Sequence, residues 1–221
     1  MEKTKTVYVI HSSGVTADLL SGLFEKYVPE ARVFNIIDDS LLEGLHLHGR
    51  PTPGMARRFC GYAVMAEQAG ADILFSQCSS FGGVVDVARS LVGIPFLKID
   101  RPMMETAVQT AAKIAVVATI ASTLKPSCDL LRECADAAGK KIEIVEAVDE
   151  NALAVLMKEG DRAKHDKAVA DLVNGLPEDV GCAVLAQGSM HRLKGMFADA
   201  KIPVLVSPES GVMAARAALG L

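Results

Sequence analysis

The segment SQCSSFGG, residues 76–83, sets one cysteine among hydroxyl residues, directly after the strand-like run 71–75 and before a glycine pair. A thiol in that setting can fill space, ligate a metal or take part in catalysis. Free cysteine is among the most buried residue types, and Cys60, Cys128, Cys134 and Cys182 fit a packing role within helix patterns or at a strand start. Cys78 differs by position. It follows a buried strand and precedes a helix-like segment from about Gly83, so its sulfur is expected near a helix N-terminus. That placement favours the thiolate and lowers a thiol pKa. On position alone, packing and catalysis both remain open.

Other small polar residues gather at similar places: Ser12-Ser13-Gly14, Cys78-Ser79-Ser80, Ser122-Thr123, Gln187-Gly188-Ser189 and Ser207-Pro208. Each group ends a strand-like run, and ligands of α/β sheets bind outside the carboxyl ends of the strands. Hydroxyls and free amides without a Lys or Arg cluster suit a small carboxylate better than a polyphosphate. No Walker loop or G-x-G-x-x-G appears, so no nucleotide cofactor is expected. His46 and His48 would share one side of an extended segment, yet no third ligand is identifiable and no metal site is assigned. The Gly- and Pro-bearing stretch around them, 41–59, reads as a long connection partly covering the cleft, where Arg50, Arg57 and Arg58 could meet a carboxylate.

The elements that must position these groups alternate from end to end. Short apolar runs at 7–11, 32–36, 72–76, 95–98, 114–118, 142–146, 183–186 and 203–206 are separated by helical patterns such as 17–27, 54–68, 103–112, 124–138 and 161–174. Continuous Val/Ile/Leu strands between helices argue for an α/β fold with parallel sheets covered on both faces. The order also repeats. ILFSQCS (73–79) matches AVLAQGS (183–189) at a constant shift of 110, and the run from Val7 to Ser13 faces that from Ile114 to Thr119. A period that long excludes a solenoid. It indicates two pseudo-symmetric lobes, each a four-stranded parallel sheet flanked by helices, with the active site in the cleft between them. The lobes fall at 1–105 and 106–221, with the C-terminal helix free to cross over to the first.

Composition narrows the function classes. The 221 residues include 23 basic and 27 acidic ones, a net charge of -4, no Trp and few aromatics, so no nucleic-acid partner is expected. No apolar stretch approaches the ~18 residues a membrane span needs. The chain start runs into a strand with no signal-peptide core, and five cysteines without a C-x-x-C pair suggest neither a zinc site nor a disulfide framework; a reducing cytoplasm is the expected compartment.

The lobed repeat, the strand–Cys–hydroxyl–hydroxyl turn and IPFLKID (94–100) resemble the aspartate/glutamate/hydantoin racemase superfamily. VATIASTLKP (117–126) is similar to the family's opening of the second lobe and VLAQGSM (184–190) to its second catalytic turn. The resemblance implies a cofactor-independent homodimer in which one cysteine from each lobe flanks the α-carbon of a carboxylate. One thiolate takes the proton, and the other thiol returns one to the opposite face. Hydroxyls and amides hold the carboxylate and the enolate-like charge; here these would be Ser12, Ser13, Ser79, Ser80, Ser122, Thr123, Gln187, Gly188 and Ser189.

The pattern breaks at one place. Cys78 is present, but its second-lobe counterpart is Gly188, which can carry no side-chain proton. Cys182, six residues earlier, lies about 20 Å away along an extended strand. His191 is the nearest alternative acid/base, set against a plain surface role beside Arg192 and Lys194. A single cysteine could instead protonate an enediolate after decarboxylation, or add to a double bond as in a maleate-type cis–trans isomerase. Related decarboxylases generally keep the other lobe's cysteine. A carboxylate-binding protein without turnover is the reading from a different class. Where glutamate racemases show Asp-Ser-Gly, this chain has Ser12-Ser13-Gly14, which counts against a dedicated glutamate racemase.

Overall fold

The computed structural model describes residues 5–221. Eight strands and nine α-helices alternate along them: β1 (Lys5–His11), α1 (Ala17–Tyr27), β2 (Ala31–Ile37), α2 (Asp39–His48), α3 (Pro53–Gln68), β3 (Ile73–Ser76), α4 (Gly82–Arg89), β4 (Phe96–Lys98), α5 (Arg101–Thr110), β5 (Lys113–Ala118), α6 (Ala121–Ala137), β6 (Glu143–Val148), α7 (Glu150–Glu159), α8 (Arg162–Asn174), β7 (Cys182–Leu185), β8 (Val204–Val206) and α9 (Ser207–Ala218). Every pairing is parallel, and the two sheets have the orders β2-β1-β3-β4 and β6-β5-β7-β8. The second sheet therefore repeats the first strand for strand, as the internal repeat of 110 residues predicts.

The chain divides into two compact units, one running through Ile99 and resuming at Pro208–Leu221, the other Asp100–Ser207. The repeat in the sequence sets the division at 105; contacts set it at Ile99, because Met103, Met104, Ala107 and Val108 of α5 pack with β5, α6 and β7. In the first unit, Ile10 and Leu74 face α2, α3 and α4, whereas Val7, Val9, Ile73 and Phe75 face α1 and Val212, Ala215 and Leu219 of α9. The final helix thus belongs to the first unit, where Arg216 also clamps Glu30 with both guanidinium nitrogens at 2.9 and 3.0 Å. In the second unit, Val116 and Val184 face α5 and α6, while Val117 and Leu185 face α8. Side chains alternate across each sheet, so burial on both faces explains the unbroken apolar strands.

One expectation is corrected. Residues 41–59 are not a long connection: they form α2 and the start of α3, joined by only four residues. Asp38 accepts from the Ser40 N–H at the start of α2, and Gly49 at φ 67° ends it in the left-handed conformation. Leu41 and Leu45, one turn apart, are buried. His46 and His48 consequently sit two apart on a helix, about 200° around its axis, and cannot share one side. Among the described residues, no group of three or more His, Cys, Asp or Glu is placed to hold a metal. Nor is any helix there long and apolar enough to cross a membrane.

Candidate active site

In the first unit, β1 and β3 run side by side with Ile10 opposite Ser76. The Gln77 N–H donates to the Ile10 carbonyl at 3.1 Å, carrying the ladder one residue further. Ser12 and Cys78 follow at matching positions just past the strand ends. Cys78 is partly buried, and the tight 3-10 turn Ser79–Phe81 follows it before α4 begins. Four donors surround its sulfur: the Ser12 hydroxyl, the N–H groups of Ser80 and Phe81, and the Ser80 hydroxyl.

Burial pushes the Cys78 thiol above the ordinary thiol value, and these four hydrogen bonds pull it back without cancelling the rise. This overturns the lowered pKa expected from a helix N-terminus. The sulfur meets one short 3-10 turn rather than the amide end of a long helix, and desolvation disfavours the charged form. At neutral pH the group is a thiol, and the thiolate made when it gives up its proton enters a ready set of donors. The other cysteines are free but packed: burial raises Cys128 to about 12 and Cys134 and Cys182 to about 11.

Ser13 is buried with extended backbone and begins the turn Gly14–Thr16, whose Gly14 N–H donates to Asp39 at 3.0 Å. Ser79 is partly buried and opens the turn after Cys78. Arg58 pairs with Asp38 at 3.3 Å, and Tyr62 donates to the same carboxylate at 2.8 Å, so Arg58 braces α2 against α3. Three residues not singled out from the sequence also lie at this end of the sheet. His11 is fully buried, with Nε2 2.8 Å from Asn35 Oδ1, and burial lowers its pKa. Gln77 places a buried Oε1 beside Cys78 in the chain. Lys98, level with Ser76 across β3 and β4, is buried and pairs with Asp86 at 2.7 Å. The shift of 110 sets Gln77 beside Gln187 in sequence, but the equivalent ladder bonds, Gln77 N–H to Ile10 O and Ala186 N–H to Val117 O, match it with Ala186. His11 and Lys98 required the register.

In the second unit the corresponding turn is the ten-residue 3-10 helix Gly188–Phe197. Gly188 and Met190 are buried, Ser189 is exposed, and His191 is partly buried. Residues three apart on a 3-10 helix eclipse one another, so His191 lies one turn beyond Gly188 on the same side. Gln187 Oε1 accepts from both the N–H and the hydroxyl of Thr119, at 2.6 and 3.1 Å. Ser122 and Thr123 occupy the first turn of α6, with the Ser122 hydroxyl oxygen buried. Cys182 opens β7, opposite Ile114, at the other end of the strand from Gly188.

A profile of the Asp/Glu/Hydantoin racemase family matches residues 15–215. The chain belongs to that family. Among solved structures, it is similar to the aspartate racemase of Picrophilus torridus, at TM-score 0.73 and 15% identity over 97% of this chain and 94% of that one. The glutamate racemase of Bacillus anthracis matches at TM-score 0.71 and 14% identity over 99% and 83%. The allantoin racemase of Klebsiella pneumoniae matches at 0.65 and 17% over 98% and 89%. At such identities the likeness concerns the fold. No curated protein gives a significant sequence match. Between the two units of this chain the strand registers Ile10–Ser76 and Val117–Leu185 set Gln187, rather than the Gly188 expected from the shift of 110, at the place of Cys78, each just before its 3-10 turn.

Proposed function

We propose that the protein is a cofactor-independent racemase-type enzyme that moves a proton at the α-carbon of a small carboxylate, with Cys78 as its acid/base group. The observation that carries this reading is the ring of four donors around a partly buried sulfur. A structural cysteine needs no such ring, whereas a thiol that must alternate between S–H and S⁻ gains from donors preset for the charged form. Membership of the racemase family supports the same chemistry. Ser13 and Ser79, at the strand ends beside Cys78, are the proposed hydroxyl donors for a carboxylate and for enolate-like charge, and Ser122, Thr123, Gly188 and Ser189 are the hydroxyl- and amide-bearing residues at the strand ends of the second unit. Ser12 and Ser80 serve the sulfur directly. His191, one 3-10 turn past Gly188, is the proposed second proton carrier, since imidazole titrates near neutrality.

The deciding experiment incubates the protein in D2O with amino acids, hydantoins, aryl-malonates and maleate, followed by proton NMR and chiral chromatography. Deuterium at the α-carbon with inversion supports the racemase. Exchange with retention points to Cys78 working without a partner on the other face. Loss of CO2 or conversion of maleate would replace the reading with decarboxylation or cis–trans isomerisation. An absence of turnover, with Cys78→Ala binding carboxylates as well as the wild type, would leave a binding protein.

A further inference from the structure

The first sheet buries a lysine where the second has an apolar residue. Lys98 lies in register with Ser76, and the equivalent pair in the second sheet is Val206 with Leu185. The architecture therefore closes at this place without a charge. Burying an ammonium is costly unless it is paired, and a cation opposes the dipole at a helix N-terminus. Lys98 carries both costs. Its side chain is 5% exposed. A Cβ on Gly82, the first residue of α4, would stand 3.9 Å from its Nζ. Asp86, one turn along α4, supplies the opposite charge: Oδ2 accepts from Lys98 Nζ at 2.7 Å and Oδ1 from Arg89 Nη1 at 2.8 Å. Arg89 Nε donates in turn to the Phe96 carbonyl at 3.0 Å. Through Lys98 and Phe96, β4 grips α4 near its start and at its end. A buried ion pair is weak evidence of stability, since apolar residues commonly serve the fold as well. Its presence in one unit alone asks for another purpose.

That purpose lies in the turn ahead of α4. Gly82 is already helical, at φ -50° and ψ -46°, and its N–H donates to Ser79 O, so the turn Ser79–Phe81 runs into α4 without a break. The N–H groups of Ser80 and Phe81 on this turn donate to the Cys78 sulfur. A slip of α4 against β4 would carry both donors off their target. We infer that the Lys98–Asp86 pair is a positioning device for Cys78, locking α4 against β4 so that the Ser80 and Phe81 amides stay aimed at the sulfur. Lys98 and Asp86 are thus positioning residues that act through the turn. Their purpose rests on the proposed proton-carrying role of Cys78; the alignment itself is read on the thiol.

Position and charge give different signs. Lys98→Met leaves Asp86 unbalanced, so a field acting through space would move Cys78 ionisation to higher pH; Asp86→Ala leaves Lys98 unbalanced and would move it to lower pH. Loosened donors move it to higher pH in both. The pH profile of Cys78 alkylation by iodoacetamide, followed by mass spectrometry of its peptide, is expected to shift upward in each variant. The rate at pH 8 should be about tenfold lower, the worth of one hydrogen bond to a charged group. The double variant Lys98→Met/Asp86→Ala removes both charges together, and it carries the test alone should Asp86→Ala, with its stranded ammonium, fail to fold. A field predicts no shift there, positioning predicts the same loss of about tenfold, and the melting temperature is expected to stay near the wild-type value. Shifts of opposite sign, an unchanged profile in the double variant, or a marked fall in its melting temperature would each overturn the inference, leaving a field effect or a tie that holds the fold. If the profile moves as expected but the wild type exchanges no α-proton in D2O, the catalytic reading fails and the positioning stands; exchange with an unmoved profile has the reverse meaning.

Discussion

At the scale of single residues, Cys78 is governed by two opposed effects of similar kind, desolvation and donation, and desolvation prevails. A thiol so placed should alkylate slowly at neutral pH. Its rate with iodoacetamide should climb with pH past 9.0, the ordinary thiol value, rather than level off below it. Ser12→Ala removes one donor to the sulfur and should move that profile to higher pH; a shift to lower pH would show that Ser12 does not stabilise the thiolate. Cys78→Ala should lower α-proton exchange by about 10²–10⁴-fold, the usual worth of one general acid/base. The place of this cysteine, at a strand end among hydroxyls, was legible in the sequence, because residue type, strand end and hydroxyl neighbours are all local. The direction of its pKa was not, since that depends on how much protein closes around the sulfur. His11 was overlooked for the same reason: its meaning lies in Asn35, a neighbour on another strand.

At the scale of elements, all eight strands were legible from short apolar runs, and the helix α2 was not. Gly44, Gly49, Pro51 and Pro53 suggest a loop when read as a composition. Read by position, they are one tolerated helical glycine, one left-handed cap and two prolines around the start of α3. Glycine position also decides the sign of two substitutions. A Cβ on Gly211 of α9 would lie 2.6 Å from the Ile99 carbonyl oxygen, whereas a Cβ on Gly22 of α1 meets nothing within 4 Å. Gly22→Ala should therefore stabilise by about 0.5–1 kcal/mol through helix propensity alone. Gly211→Ala gains the same propensity but must push α9 off Ile99, and overpacking of about 1–3 kcal/mol is expected to outweigh it. Urea denaturation of the two variants checks the opposite signs. The 3-10 helix Gly188–Phe197 has its own anchor, Arg192, which donates to Asp166, to His165 Nδ1 at 3.1 Å and to Ser189 O at 3.5 Å. Long 3-10 runs have poor internal hydrogen bonds. Arg192→Ala should accordingly speed hydrogen exchange across residues 188–197 and leave the amides of Ser80 and Phe81 unchanged; equal protection in both proteins would mean that Arg192 is not the anchor.

At the scale of the whole molecule, the repeat has kept its topology and divided its labour. The first unit holds the turn of Cys78, with buried His11 Nδ1 and Gln77 Oε1 at the same strand ends. The second holds Gln187 at the place of Cys78, bonded to Thr119 as Cys78 is to Ser12, and keeps its cysteines in the packing. That difference has a consequence for stability. Burial first, and for Cys128 the carboxylate of Glu146 next, raises the three second-unit thiols from 9.0 to about 11 or 12. Between those values the unfolded chain releases thiol protons that the folded chain retains. The folded state then binds more protons, and stability must fall as pH rises. Below pH 9 the contribution is fully present, and it is lost progressively toward pH 11–12. Each group can add at most about 1.4 kcal/mol per pH unit to the slope. Cys182 is the cleanest probe, because it is fully buried and desolvation alone raises it. Urea midpoints from pH 8 to 11 should fall less steeply for Cys182→Ala than for the wild type, despite the variant's lower starting stability from the small cavity. Parallel curves would mean that lysines and tyrosines, rather than buried thiols, set the alkaline limit of the fold.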